Sequence, residues 1–139
     1  MAVNSRRVLI AALGGGVVWM IWTLLNEMVA EKYYVVEQAA GLLLREPRYF
    51  YFRRFWLITV LLLAYIASWF YASVRATLGP GLGAALCVGV LLGFAVSFPL
   101  NLVLAAWSPM SRIVPLLWVV DLWGGAILGT LVASWIYRE

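Results

Sequence analysis

Apolar residues gather along this chain in four long stretches, at residues 8–30, 55–78, 83–107 and 113–136, each broken off by charge or by turn-forming residues. Each stretch holds about 23 to 25 residues, and a helix of about 20 crosses the hydrocarbon core of a bilayer. The pattern predicts four transmembrane helices. The first gap, residues 31–54, is long and charged, the second is the tight Gly79-Pro80-Gly81 turn, and the third is Ser108-Pro109-Met110-Ser111-Arg112. Gaps as short as the second and third make helices 2, 3 and 4 sequential antiparallel neighbours. Trp56, Trp107 and Trp135 lie at the ends of stretches, where a ring with one polar edge settles at headgroup level. Residues 1–139 read as one membrane domain, an all-α four-transmembrane-helix bundle.

Arg6-Arg7 ahead of the first stretch is how a signal peptide opens. The apolar run that follows is already longer than a signal core, and Met28-x-Ala30 is a poor small-x-small cleavage site, so an anchor is expected. Within the first gap, Val35, Val36, Ala39, Ala40 and Leu43 recur at helical spacing, with Glu37, Gln38 and Arg45 off that stripe. This segment is too short and too charged to span. It predicts an amphipathic helix over at least residues 36–44, lying in the interface and ending near Pro47. Tyr49, Phe50, Tyr51 and Phe52 then lead into Arg53-Arg54, an aromatic-basic belt at re-entry into the bilayer. Anchoring explains the belt; a lid or docking surface is the sharper alternative.

Composition narrows the chemistry. Of 139 residues, 65% are hydrophobic and 12% charged, about half the charge that a soluble domain carries. One cysteine, Cys87, rules out an intrachain disulfide, and the lack of any histidine removes His-ligated haem, zinc-His sites and a His general base. No metal or cofactor is therefore expected. The net charge of +4 is small and scattered; it suits anionic lipid headgroups, not nucleic acid. Orientation cues oppose one another. Arg6, Arg7, Arg75 and Arg138 fall on the side of the N-terminus, second gap and C-terminus, and Lys32, Arg45, Arg48, Arg53, Arg54 and Arg112 on the other. Counting places the first gap inside, whereas Arg6-Arg7 beside helix 1 places the N-terminus inside.

Small residues mark the packing faces. Gly81, Ala85, Gly89, Gly93, Ser97 and Asn101 fall every fourth residue along helix 3, and Gly125, Gly129 and Ala133 do so in helix 4. Helix 2 has Ala64, Ser68, Ala72 and Ala76; helix 1 has Ala11-Gly15 and Ala12-Gly16. Lipid tails are as apolar as leucine, so helices associate through close backbone approach and interhelical hydrogen bonds. Stripes on all four helices predict a compact bundle, with helix 3 at its centre.

Polar residues inside the spans are the candidate site. Asp121 lies about 12 Å into helix 4 at 1.5 Å per residue, where an acid costs roughly 2.5 to 3.5 kcal/mol, so it should face the bundle and a partner. Gly15, Trp19, Trp22 and Asn26 share a face of helix 1, with Glu27 beside it, and Asn101 ends the small stripe of helix 3, just past a kink expected at Pro99. Antiparallel connectivity puts Asn26, Glu27, Arg53, Arg54, Asn101, Arg112 and Asp121 in the half of the membrane next to the first and third gaps. The opposite half holds little beyond Arg75. A polar cluster of Asn26, Glu27, Arg54, Asn101, Arg112 and Asp121 has three readings. It is structural, with an arginine paired to Asp121 or Glu27 and Asn101 bonded across helices; or a ligand or proton site; or a contact with a partner subunit.

The segment Trp69-Phe-Tyr-Ala-Ser-Val-Arg75, the Gly79-Pro80-Gly81 turn, Trp118 and Asp121 in helix 4, and the ending Ala133-Ser-Trp-Ile-Tyr137-Arg138-Glu139 resemble a group of uncharacterised bacterial four-helix integral membrane proteins. The resemblance covers about half the chain. It implies a multi-pass protein of the bacterial inner membrane with cytoplasmic termini, and no activity; the second gap departs by keeping only Arg75 of the basic residues usual there. No nucleophile–base pair, phosphate-binding glycine loop or metal-ligand set is present, so an enzyme is not expected. Two classes remain. One is a non-catalytic membrane subunit or scaffold that binds lipid or other membrane proteins. The other is a small proton-coupled transporter, resembling small multidrug exporters in size and helix number, that works as a homo-oligomer with Asp121 or Glu27 as carrier.

Overall fold

The computed structural model describes residues 3–137, and these form four α-helices: α1 (Ser5–Ala39), α2 (Phe52–Leu78), α3 (Leu82–Trp107) and α4 (Ile113–Ile136). All four are long and apolar enough to cross a membrane, and their outer faces expose leucine, isoleucine, valine and aromatic side chains along the whole bundle. Such a surface is compatible with lipid and not with water. The chain is a multi-pass membrane protein. Arg138 and Glu139, which entered the charge count and the resemblance, lie outside the described residues.

α1 is the main departure from the sequence reading. It starts at an N-cap, with Asn4 Oδ1 accepting from the Arg7 N–H at 3.2 Å, and continues without interruption past Ala30 to Ala39. Glu31 and Lys32 do not end it, because charge stops the apolar run but not the helix. Gly41 does. Its φ of 73° is left-handed, its N–H donates to the Gln38 carbonyl, and the Leu42 N–H reaches back to the Glu37 carbonyl at 2.9 Å. This is a Schellman closure, which consumes the last free carbonyls of a helix. The expected interfacial helix over residues 36–44 is thus not formed: its first part belongs to α1, and residues 40–51 are turns. Val35 and Val36 are exposed, and the inner face of this extension is instead Ala30, Tyr34 and Glu37. At 35 residues, α1 measures about 52 Å against a hydrocarbon core of about 30 Å, so its C-terminal portion stands clear of the apolar layer.

α4, not α3, is the centre of the bundle. Both α2 and α4 touch the other three helices, but the two most extensive interfaces, with α1 and with α3, are those of α4, and α1 and α3 do not meet. The small residues of α3 lie where their spacing predicts, against another helix. A Cβ on Gly89 would stand 2.8 Å from the Ile127 Cα, and one on Gly93 would be 2.6 Å from the Trp123 ring. α4 serves two neighbours because glycines allow close approach on both sides, those of α3 on one and its own on the other. Trp123, Ala126 and Ile127 receive α3, and Gly125 and Gly129 receive α1. α3 continues as a helix through Pro99.

The α1–α4 contact has a fixed antiparallel register. Gly15 lies opposite Gly129 and Trp19 opposite Gly125, and one further step of four brings Thr23 to Asp121. The same pairing is anchored at both ends. The Asn4 N–H donates to the Tyr137 hydroxyl at 3.2 Å, and Glu37 Oε1 accepts from the Ser111 N–H at 3.1 Å. The N-terminus of α1 and the C-terminus of α4 therefore share one side, and the first and third gaps share the other.

Candidate functional site

The seam between α1 and α4 holds the buried polar side chains Thr23, Glu37 and Asp121. Large indole and phenol rings can lie there because glycine faces them. Trp19 rests on Gly125 and Trp22 on Gly124, where any Cβ would overlap the rings. Four side-chain hydrogen bonds cross the seam toward its Glu37 end. Trp22 Nε1 donates to the Val120 carbonyl at 3.2 Å, and Asn26 Nδ2 donates to the Leu117 carbonyl at 3.2 Å. Trp118 Nε1 donates to the Tyr34 hydroxyl at 2.9 Å, and Glu37 takes the Ser111 N–H. Each such bond is worth about 0.6 kcal/mol in a membrane. Their joint effect is to fix register more than to supply stability.

Asp121 sits below these bonds, 6% exposed. The Thr23 hydroxyl faces its carboxyl but outside hydrogen-bonding geometry, so Thr23 Oγ1 and Asp121 Oδ1 are both buried without a partner. Trp19 Nε1, one turn away, is likewise buried and unpartnered. Glu27 and Tyr34 are the other titratable groups in the surroundings of Asp121. Glu27 lies one turn beyond Thr23 on α1 and is exposed.

The expected cluster is only partly assembled. Asn26 and Asp121 share the α1–α4 seam, with Glu27 at its edge. Arg54 and Arg112 are exposed, and among the described residues neither pairs with Asp121 or Glu27. The expected arginine partner is absent because both guanidinium groups stand at the ends of helices, where water solvates them and the rotamer freedom of a long side chain favours the unpaired state. Asn101 is buried, but its Nδ2 donates to the Ser97 carbonyl of its own helix at 2.7 Å, not across helices. Ser97 Oγ in turn donates to the Gly93 carbonyl at 2.6 Å.

Sequence reasoning passed over Thr23 and Tyr34, and named Trp118 only within the resemblance, with no contact assigned to it. Thr23 carried a signal, since it continues the step of four from Gly15 and Trp19. The bond between Tyr34 and Trp118 depends on two long side chains meeting across helices, and no spacing within one helix announces it.

The opposite end of the bundle is also more organised than Arg75 alone suggests. Tyr71 and Tyr137 meet edge-on at 6.4 Å, and the Arg75 guanidinium lies over both rings, 5.8 and 5.2 Å from their centroids. The Tyr71 hydroxyl accepts from the Gly81 N–H at 3.3 Å. With the Asn4–Tyr137 bond, these contacts tie the ends of all four helices together.

Two surface hollows are lined by Tyr65, Ile66, Trp69 and Phe70 on α2 and by Arg75, Leu82, Trp135 and Tyr137 at this end; neither reaches Asp121. Among the described residues no group of three acidic or cysteine side chains is arranged to hold a metal ion. Comparisons with protein-family models, with curated proteins and with solved structures find no match. What the residues themselves fix is a multi-pass membrane bundle that encloses Asp121 between its first and last helices.

Proposed function

We propose that this protein is a non-catalytic membrane subunit or scaffold, which binds other membrane proteins or lipid. The observation that supports this reading is closure. The small-residue faces of α1, α3 and α4 are used within the chain, and Asp121 is buried in the α1–α4 seam, away from both surface hollows described above. A translocation pathway needs its carrier reachable in turn from each side. The helices instead present lipid-facing apolar surface on their outer sides. Together with the resemblance to bacterial four-helix membrane proteins, this supports a place in the bacterial inner membrane. Native mass spectrometry from mild detergent tests it: a stoichiometric membrane partner or retained lipid is expected. A lone homodimer that catalyses proton-linked flux would refute it.

A second reading is supported by one specific feature, the buried oxygen of Asp121 left without a partner beside Thr23. In a small proton-coupled transporter, Asp121 or Glu27 would carry the proton and a second copy would complete the pathway.

A further inference from the structure

The positive charge of this chain is concentrated in the turn region that joins α1 to α2. In residues 40–54, Arg45, Arg48, Arg53 and Arg54 stand against Glu46 alone, a surplus of three where the whole chain has a net charge of +4. All four arginines are exposed, and none is held by a carboxylate among the described residues. Aromatic rings are interleaved with them. Tyr49 stacks on Tyr51 at 5.4 Å, and Tyr51 meets Phe50 and Phe55 edge-on at 5.4 and 5.3 Å. Phe50 is 93% exposed. α2 opens at Tyr51 without a side-chain cap, so the positive end of its dipole faces the same layer.

Neither water nor hydrocarbon suits this combination. Water would leave the rings bare, and hydrocarbon would strip the guanidinium groups. The headgroup layer accommodates both, with rings at the acyl boundary and guanidinium forks on phosphate oxygens, which arginine matches in a bidentate way. We propose that residues 45–54 form a docking surface for anionic phospholipid headgroups. Arg45, Arg48, Arg53 and Arg54 are the phosphate donors, and Tyr49, Phe50 and Tyr51 set the depth. The proposal deepens the lipid-binding side of the scaffold reading and rests on it. Unpaired positive charge on this scale selects lipids of net negative charge, since each basic residue near such a surface adds roughly fivefold to binding.

The test is native mass spectrometry of the full chain with equal phosphatidylglycerol and phosphatidylcholine added. Wild type should retain phosphatidylglycerol preferentially. Arg53→Gln with Arg54→Gln should lower that preference about tenfold or more, and Lys32→Gln, outside the segment, should leave it in place. High salt should erase the preference in the unaltered protein, which needs no variant to fold. Equal retention of the two lipids by wild type, or a preference untouched by salt and by the arginine substitutions, would overturn the proposal. Loss of a stoichiometric protein partner on the same substitutions would reassign the surface to an acidic protein, ending this proposal while the scaffold reading stands. Proton-linked flux would remove the scaffold reading whatever the lipid result.

Discussion

Gly15 of α1 and Gly129 of α4 face each other with their backbones in contact: a Cβ on Gly15 would stand 2.5 Å from the Gly129 carbonyl oxygen, and one on Gly129 would stand 3.0 Å from that of Gly15. The neighbour on each side is backbone, which cannot turn aside as the end of a side chain can. Gly15→Ala should therefore force α1 and α4 apart and lower stability by about 1–3 kcal/mol. Gly83, in the first turn of α3, has nothing within 4 Å of such a Cβ, and Gly83→Ala should be neutral or slightly stabilising. Thermal unfolding in detergent checks the pair. Equal effects at the two positions would contradict the close approach.

The extension of α1 depends on a different contact. Glu37 is 6% exposed, and its Oε1 holds the Ser111 N–H at the turn between α3 and α4. Glu37→Leu removes the acceptor and should leave that N–H unsatisfied, at about 1–3 kcal/mol. Glu37→Gln keeps a carbonyl oxygen in place and should recover most of the loss. Hydrogen exchange at Ser111 reads the effect locally: it should accelerate in the leucine variant and stay near wild type in the glutamine variant.

The end of α1 also shows what the sequence could and could not convey. The four spans are legible because a helix in lipid must be apolar over its whole length. The Gly79-Pro80-Gly81 break is legible because Gly79 and Gly81 take φ of 79° and 123°. The segment past Ala30 obeys neither rule. Outside the apolar layer a helix tolerates charge, so Glu31 and Lys32 were misleading and Gly41 was the signal to follow. The spacing of Gly89 and Gly93 located a packing face but not its partner, and it favoured α3 as the centre. α4 holds that place because its own glycines receive α1 while the glycines of α3 receive its larger side chains, and no single stripe reveals this. Asp121 was legible as enclosed. Its neighbours were not, since Thr23 reaches it only through the α1–α4 register.

At the other end of the bundle, Tyr71 is almost wholly buried and accepts from the Gly81 N–H. Tyr71→Phe keeps the ring against Tyr137 and removes only the hydroxyl. The expected cost is about 0.5–1.5 kcal/mol, with faster exchange at Gly81 and little change at Asn4, whose N–H is held by Tyr137. Tyr137→Phe should give the reverse pattern. Site-resolved hydrogen exchange separates the two, and an identical response at both amides would show that the hydroxyls do not act where the distances place them.

The two functional readings part at Asp121. Because no cation is paired with it among the described residues, Asp121→Asn takes away no ion pair, and the amide keeps the shape of the side chain. It also brings a donor that can meet Thr23 Oγ1, which is buried without a partner. A structural acid therefore predicts that Asp121→Asn holds or raises thermal stability, and that Asp121→Leu, which leaves the hydroxyl facing hydrocarbon, lowers it. Neither variant should gain or lose a pH-dependent activity. A proton carrier predicts another outcome: Asp121→Asn would abolish proton-linked substrate flux in proteoliposomes at unchanged stability. Glu27→Gln would have the milder effect, since Glu27 is exposed at the edge of the seam. We expect the structural result. Flux that is present in wild type and lost in Asp121→Asn, with unfolding temperatures matched, would decide for the transporter.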